Sequence, residues 1–538
     1  MSCERNERMK FFTVSGPVNP EKHYCLPLST RLNEQELRLL IKQEKYFILH
    51  APRQTGKTST MLNFAKTLNE EGVYTALYVN IEGGQALRGD VEKSLPVILQ
   101  EFATRVKEQF PSQTAFFEIF EDLKKEAIPA GSLLVTLLSR WCAQSKKPII
   151  LFIDEIDCLV GDTLISVLRQ LRSGYDKRPK NFPQSVCLIG VRDVRDYRIW
   201  SDEQQAMVLG GSAFNIKAES IRLNDFTKDE VRALYQQHTQ VTGQKFTDEA
   251  IEYVFYLTQG QPWLVNALAY QACFKDVTDY NLPITKDIIE RAKETLIKRR
   301  DTHLDVLVDR LQEPRVRDII DAIITGIDTS RNFPTDDIQY VLDLGLVARR
   351  ENNLVIANPI YQEVLPRELT YSTQLTMPQQ QFWYVNADGS INMHKMLTEF
   401  TQFYRENSAD WLADCKYKES GPHLLIMAFL QRIINGGGKI VREYALGRGR
   451  VDLLVVWPGL HSLGDGGKIQ RIVIELKLWR SKAETLDKGL VQTAEYMDVC
   501  NATEGNLVIF DKREKSWEEK IYTKQEQVGN KVITVWGM

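Results

Sequence analysis

Three consecutive residues, Gly56-Lys57-Thr58, carry the first chemistry in this chain. They close the stretch Ala51-Pro-Arg-Gln-Thr55-Gly56-Lys57-Thr58, which follows the apolar run Tyr46-Phe-Ile-Leu-His50 and opens a helical pattern, Ser59-Thr-Met-Leu-Asn-Phe-Ala-Lys. A strand, a loop and a helix in that order aim backbone N–H groups and a helix N-terminus at a phosphate. Thr55 and Gly56 belong to the loop that closes on the anion, Lys57 supplies a point charge, and the Thr58 hydroxyl can ligate Mg2+. Ala51 stands where this pattern has its first glycine, so the turn there must use a conformation open to a residue with a side chain. About a hundred residues on, Pro148-Ile-Ile-Leu-Phe-Ile-Asp154-Glu155-Ile-Asp157 is an apolar strand ending in acids. Asp154 fits a Mg2+ role and Glu155 the orienting of an attacking water. The two motifs imply ATP and Mg2+ as cofactors. Arg192, Arg195 and Arg198, just after the run Ser185–Val191, are candidates for sensing a γ-phosphate, or surface arginines of a loop.

A second constellation lies near the end of the chain. Arg450-Val-Asp452-Leu-Leu-Val-Val-Trp opens one apolar strand, and Ile472-Val-Ile-Glu475-Leu-Lys477-Leu-Trp forms another. A charge inside an apolar strand is costly unless it is paired or holds a metal. Glu475 and Lys477 are two apart and share a face on a strand. Asp452, Glu475 and Lys477 brought together at a sheet edge would make a Mg2+ site with a lysine able to position water. The helical segment Gly489–Tyr496 adds Gln492 and Tyr496, one turn apart on one face. Glu443 is the candidate for an extra carboxylate, or for an ion pair with Arg442 or Arg450. Glu518-Glu-Lys520 has the same spacing as Glu475 and Lys477 but sits in a charged stretch, where a solvated face is expected.

The elements that must position these groups fall into blocks. Residues 1–30 carry Pro17, Pro20 and Pro27 with little periodicity and read as an irregular lead-in. Over 31–215, strands Tyr46–His50, Tyr74–Asn80, Pro148–Ile153 and Ser185–Val191 alternate with helical patterns, which predicts a parallel α/β sheet. Residues 216–300 are helical, and 301–370 combine helices with a hairpin turning at Glu351-Asn-Asn, as a winged-helix domain would. The Gln-rich stretch 371–390 reads as a linker. A second α/β region, 391–538, has strand candidates at Lys439–Tyr444, Val451–Trp457, Arg471–Leu478, Asn506–Phe510 and Val532–Val535.

Composition sets outer limits. The 538 residues carry 68 Lys+Arg against 71 Asp+Glu, a net −3, which excludes an arm-type basic nucleic-acid binder. The balance is not local: residues 431–450 hold five basic residues against one acid, net +4, a patch able to track a phosphate backbone. Hydrophobic content of 43% is that of a globular chain. No apolar run reaches the 18 or so residues of a membrane helix, and the charged start lacks a signal stretch, so a cytoplasmic protein with no membrane partner is expected. Eight scattered cysteines without Cys-x-x-Cys fit reduced thiols rather than zinc.

Two resemblances add to this. Residues 30–370 resemble bacterial AAA-like ATPases related to the STAND and archaeal ATPase group, through the motifs above and Leu188-Ile-Gly-Val-Arg-Asp-Val-Arg-Asp-Tyr, Ser212–Leu223 and Thr258-Gln-Gly260-Gln-Pro262-Trp-Leu. The resemblance implies an ATP-dependent switch with a helical lid and a winged helix. It makes Gly260-Gln-Pro262 a lid element near the nucleotide, so Pro262 joins the nucleotide-binding candidates. Residues 391–538 resemble the PD-(D/E)xK nuclease fold through Asp452, Glu475 and Lys477, with Val451 in place of the motif's proline. That implies Mg2+-dependent phosphodiester cleavage, with Gln492 or Tyr496 lining the site and the Leu424–Arg432 segment as the first helix. By analogy such a fusion is a nucleotide-gated DNA nuclease, in host defence against phage or mobile DNA, and an oligomer that supplies an arginine in trans is natural. Alternatives are a DNA-repair or processing ATPase, and a switch whose C-terminal domain binds nucleic acid without cutting.

Overall fold

The computed structural model describes residues 10–126, 128–194, 197–201, 206–299, 309–324, 333–350, 353–369, 384–386, 388–414, 421–435, 439–446, 449–457, 469–513 and 515–538. They divide into two units: residues 1–303 with 334–348, and residues 304–333 with 349–538.

The first unit is built on a five-stranded parallel sheet. Its strands are β1 (Tyr46–His50), β2 (Thr75–Asn80), β3 (Ile149–Asp154), β4 (Ser185–Gly190) and β7 (Lys217–Arg222), in the order β2-β3-β4-β1-β7. Strand side chains alternate between faces, and here both faces are covered. Tyr46 and Ile48 of β1 join the core under the helices Val91–Gln109, Ala130–Gln144 and Gly161–Ser173. Phe47 and Leu49 join the opposite core, under the helices Glu34–Lys42 and α1 (Lys57–Glu71). α1 fits that face because Met61, Phe64 and Leu68 fall on one stripe. The short strands β5 (Arg198–Ser201) and β6 (Ala206–Leu209) form a hairpin between β4 and β7.

β7 corrects the boundary read from sequence. It pairs with β1, so the core sheet runs beyond residue 215. The helices that follow are Lys228–Thr242, Asp248–Thr258, Pro262–Gln271 and Lys286–Arg299. The first starts in a capping box, with Thr227 accepting from Glu230 N and Glu230 reaching back to Thr227 N. Helix α2 (Thr335–Asp343) also belongs to this unit. The segment expected to form one winged-helix domain is thus divided, 334–348 grouping with the first unit and the flanking residues with the second.

The lead-in is irregular in hydrogen bonding but not loose. Its residues 10–27 carry an isolated bridge between Phe11 and His23, while Phe12 and Tyr24 are buried. The Tyr24 hydroxyl lies 3.2 Å from His238 Nδ1, Trp263 Nε1 donates to Val14 O at 2.8 Å, and Val18 N donates to Ser59 Oγ at 2.8 Å. One strap therefore holds both the helical region and α1.

The second unit contains the helix Pro314–Ile324, the strand β9 (Asn353–Ile356), which forms a two-stranded sheet with β8 (Val347–Arg350), and the helix Pro359–Leu369. Its main sheet has six strands, β10 (Lys439–Leu446), β11 (Gly449–Trp457), β12 (Gln470–Leu478), β13 (Glu504–Phe510), β14 (Tyr522–Val528) and β15 (Lys531–Gly537), in the order β10-β11-β12-β13-β15-β14. β10, β11 and β12 are antiparallel neighbours, β12, β13 and β15 run parallel, and β14 returns antiparallel at the edge. Ile472, Ile474 and Leu476 face a core with the helices Met393–Asp414 and Gly421–Asn435. Val473, Leu507 and Ile509 face the other core with helix α3 (Lys488–Val499). Residues 371–383 of the expected linker lie outside the described residues, but Tyr384 is buried in the first of these cores, so the globular part starts before 391.

Candidate nucleotide and metal sites

The loop after β1 is shaped by two residues with positive φ, Gln54 (58°) and Gly56 (93°), and Ala51 is not among them. The alanine in place of the first glycine is therefore accommodated without left-handed backbone. Gly56 is the N-cap of α1 and begins the helix in that conformation. Lys57 Nζ donates to the carbonyls of Ala51 at 2.8 Å and Pro52 at 2.9 Å. Burial pushes its ammonium below the usual lysine value, against the pull of Asp157, Asp154 and Glu155. Thr55 is buried and its hydroxyl donates to Pro52 O at 2.8 Å.

β3 carries Asp154 to the same place. Thr58 Oγ1 donates to Asp154 Oδ2 at 2.6 Å, and Tyr78 of β2 donates to the same oxygen. Asp154 Oδ1 accepts from the backbone N–H of Glu155 at 2.8 Å. A hydroxyl and a carboxylate this close form an oxygen donor pair suited to Mg2+. Glu155 sits in the left-handed region at φ 59°. Partial burial, then the neighbouring Asp157 and Asp154, push its carboxyl up to about 6. Asp157 Oδ1 accepts from Val191 N at 3.1 Å and ties this turn to the end of β4.

Of the three arginine candidates, Arg195 and the side chain of Arg198 lie outside the described residues. Arg192 is buried and bound: its Nε lies 3.2 Å from Asp343 Oδ2, the last residue of α2. Its guanidinium also lies 4.9 Å from the centre of the Tyr340 ring.

Sequence reading missed Arg31. Its Nη2 donates to Thr55 O at 3.1 Å and Asn224 O at 2.8 Å, and its guanidinium lies 4.5 Å over the Phe226 ring. Burial pulls it down to about 10, so it keeps its charge at neutral pH. Phe226 in turn leads to the Gly260-Gln-Pro262 element. Phe226 N donates to Gly260 O at 2.8 Å, and a Cβ at Gly260 would stand 1.8 Å from Phe226 O. Gly260 has φ 80°, and Pro262 begins the following helix at its first turn. A chain of contacts thus runs from the Gly-Gln-Pro turn through Phe226 and Arg31 to the phosphate loop. No local signal marks Arg31, because its partners are 24 and 193 residues away.

A family model described as AAA-like domain matches residues 22–367, well over half of the chain. The chain belongs to the AAA-like domain family. Solved structures similar to it include a Walker-type ATPase of Pyrococcus abyssi, 17% identical, covering 66% of this chain and 99% of that one at a TM-score of 0.44. Another is the ORC2 protein of Aeropyrum pernix, 13% identical over 64% of this chain and 95% of that one, TM-score 0.36. A third is the RuvB Holliday junction branch migration motor of Thermotoga maritima, 14% identical over 62% and 93%, TM-score 0.31. No curated protein matches the chain.

Beyond the AAA-like domain lies the second constellation. Glu475 is buried and its Oε1 accepts from Lys477 Nζ at 2.6 Å. Leu453 of β11 pairs with Ile474 of β12, so position 452 lies one step along the ladder, beside 475. The side chains of Asp452, Glu443, Arg442 and Arg450, and all of Arg448, lie outside the described residues. The basic side chains of the expected patch at 431–450 thus also lie outside the described residues. α3 packs on β12 with Tyr496 buried and Gln492 half-buried. Among the described residues, no group of three His, Cys, Asp or Glu side chains gathers to hold a metal. Glu518 and Lys520 sit on the short turn Trp517–Lys520, with Glu518 exposed.

Proposed function

We propose that this AAA-like protein binds and hydrolyses ATP with Mg2+, and that its C-terminal unit is a metal-dependent nuclease that cuts DNA under nucleotide control. The ATP half rests on one observation, the Thr58–Asp154 hydrogen bond of 2.6 Å beside Lys57 on the phosphate loop. In this reading Gly56 and the start of α1 hold the β-phosphate, Lys57 bridges to the γ-phosphate, and Glu155 orients the attacking water. Bound Mg2+ would supply charge neutralisation at the phosphate oxygens.

The nuclease half is supported by Glu475 and Lys477, held at 2.6 Å on one face of β12 next to position 452. Glu475 offers a hard oxygen ligand, and Lys477 an ammonium able to place water or steady the charge that develops on a phosphate. The test is incubation of the full chain with plasmid and Mg2+, with ATP, a non-hydrolysable analogue, or no nucleotide. Cutting that is lost in Glu475→Ala while ATP binding persists is expected. A wild-type chain that never cuts DNA under any of the three conditions removes the nuclease half.

A second reading, a nucleotide-controlled switch without cleavage, is favoured by the buried Arg192–Asp343 pair, which couples the end of β4 to α2. Nucleotide-dependent change in assembly or protease sensitivity without cutting would select it.

A further inference from the structure

Glu475 and Lys477 stand on the α3-facing side of β12, and the row continues past the strand. Trp479, two residues on, packs partly buried against the same core as Val473. At about 3.3 Å per residue it lies roughly 7 Å beyond Lys477. Its backbone N–H donates to Phe510 O at 2.9 Å, which ties the end of β12 to the end of β13.

The chain leaving β13 then places Arg513 on the tryptophan, with its guanidinium 4.5 Å from the centre of the indole ring. Asp511 grips the same guanidinium in a fork: Arg513 Nε donates to Oδ1 at 2.8 Å and Nη2 to Oδ2 at 2.6 Å. Arg513 is thereby fixed in plane by a ring and in direction by a carboxylate, while its side chain stays 46% exposed. An arginine held this way loses little freedom on binding, and its Nη1 edge is not used by Asp511. Around it, Arg480, Lys482, Lys512 and Lys515 are exposed, and the nearest acid on these two loops, Asp511, is already bound to Arg513 and 3.9 Å from Lys515 Nζ. Glu484 and Asp487 lie further along, in the turn that leads into α3.

We propose that the carboxyl ends of β12 and β13 form a phosphate-binding rim, centred on Arg513 where it stacks on Trp479, that holds a nucleic-acid backbone beside Glu475 and Lys477. This rests on the reading of the unit as acting on nucleic acid, and names the surface that carries the strand. A backbone suits the rim better than an isolated anion, because the cations are spread over two loops rather than gathered in one pocket.

The test uses the full chain with EDTA, so that no strand is cut, and a fluorescein-labelled DNA duplex of mixed sequence. Anisotropy is read between about 50 and 200 mM salt. Arg513→Gln is expected to weaken binding several-fold regardless of sequence, and to lower the slope of log affinity against log salt by about one. The double variant Arg480→Gln/Lys482→Gln, at exposed positions that leave the fold alone, is expected to lower it by about two. Unchanged affinity and slope in both variants overturns the rim, as does a wild-type chain that binds no DNA. Binding to vesicles of anionic lipid that depends on Arg513, with none to DNA, overturns it too. Cleavage is read separately with Mg2+. A wild-type chain that binds DNA through Arg513 yet never cuts removes the nuclease reading and leaves the rim standing. A chain that cuts while Arg513→Gln binds like wild type removes the rim alone.

Discussion

Arg192, at the end of β4, and Asp343, at the end of α2, form an ion pair with side-chain exposures of 11% and 1%. The pair joins positions 151 apart, and Arg222 reinforces it by donating from Nη2 to Leu342 O at 3.5 Å. The turn after α2 then runs close to the phosphate loop, where a Cβ at Gly345 would stand 2.7 Å from Pro52 Cγ. The arginine best placed in sequence to sense a phosphate is thus held by an acid that no local pattern reveals.

Asp343→Ala should leave the Arg192 charge buried and unmatched, which costs about 3–5 kcal/mol. A thermal or urea unfolding midpoint well below wild type is expected. Replacing both partners, Arg192→Met with Asp343→Leu, should recover most of the loss, since two apolar groups need no pairing. A single variant as stable as wild type would show that the pair contributes nothing.

Lys57→Ala removes the ammonium on the phosphate loop. With charge-assisted hydrogen bonds worth about 1.5–3 kcal/mol each, ATP affinity should fall by about a hundredfold. Titration with a fluorescent ATP analogue checks this, and under the proposed nucleotide control any DNA cutting by the variant should no longer respond to added ATP.

Glu155 gives a pH dependence. Its carboxyl is raised from 4.5 to about 6 by partial burial and then by Asp157 and Asp154. In the proposed role the carboxylate form orients water, so ATP hydrolysis should rise with pH through about 6 and level off above. For stability the sign is opposite: a raised carboxyl pKa favours the folded state below the unfolded value, and that contribution is lost as pH rises through about 6. Glu155→Gln should remove the acidic limb and slow turnover by about 10²–10⁴-fold with ATP binding retained. Steady-state rates from pH 5 to 8 decide it.

Gly260→Ala should be severe. The new Cβ would meet Phe226 O at 1.8 Å in a backbone at φ 80°, and strain with overpacking costs about 3–5 kcal/mol. Because Phe226 carries Arg31, nucleotide binding should weaken along with the melting temperature. Arg31→Ala should weaken binding with a smaller effect on melting, which separates the two links of the chain.

Sequence alone was enough for the strands that are buried on both faces. Tyr46–His50 has the bounds read from its apolar run, while β2 starts one residue later than read, β3 starts and ends one later, and β4 ends one earlier. What it hid were edges. β7, Lys-Ala-Glu-Ser-Ile-Arg, and β14, Tyr-Thr-Lys-Gln-Glu-Gln-Val, are edge strands whose polar alternation resembles a loop. The phosphate loop was legible because its residues are contiguous. Arg31, Tyr78 and Asp343 were not, because each acts on a partner at least 24 residues away. Trp479 and Arg513 escaped for the same reason: only the pairing of β12 with β13 makes them neighbours.

The strap of residues 10–27 has a consequence for how the chain is made. Tyr24 meets His238, 214 residues later in the sequence. At roughly 5–20 residues per second, synthesis separates them by roughly 10–40 s. Throughout that interval Phe12 and Tyr24 lack the helices Lys228–Thr242 and Pro262–Gln271 to pack against, so an early-made segment docks late. Ribosome-bound chains stalled before Lys228 should show residues 11–25 open to protease, and chains stalled after Arg299 should show them protected.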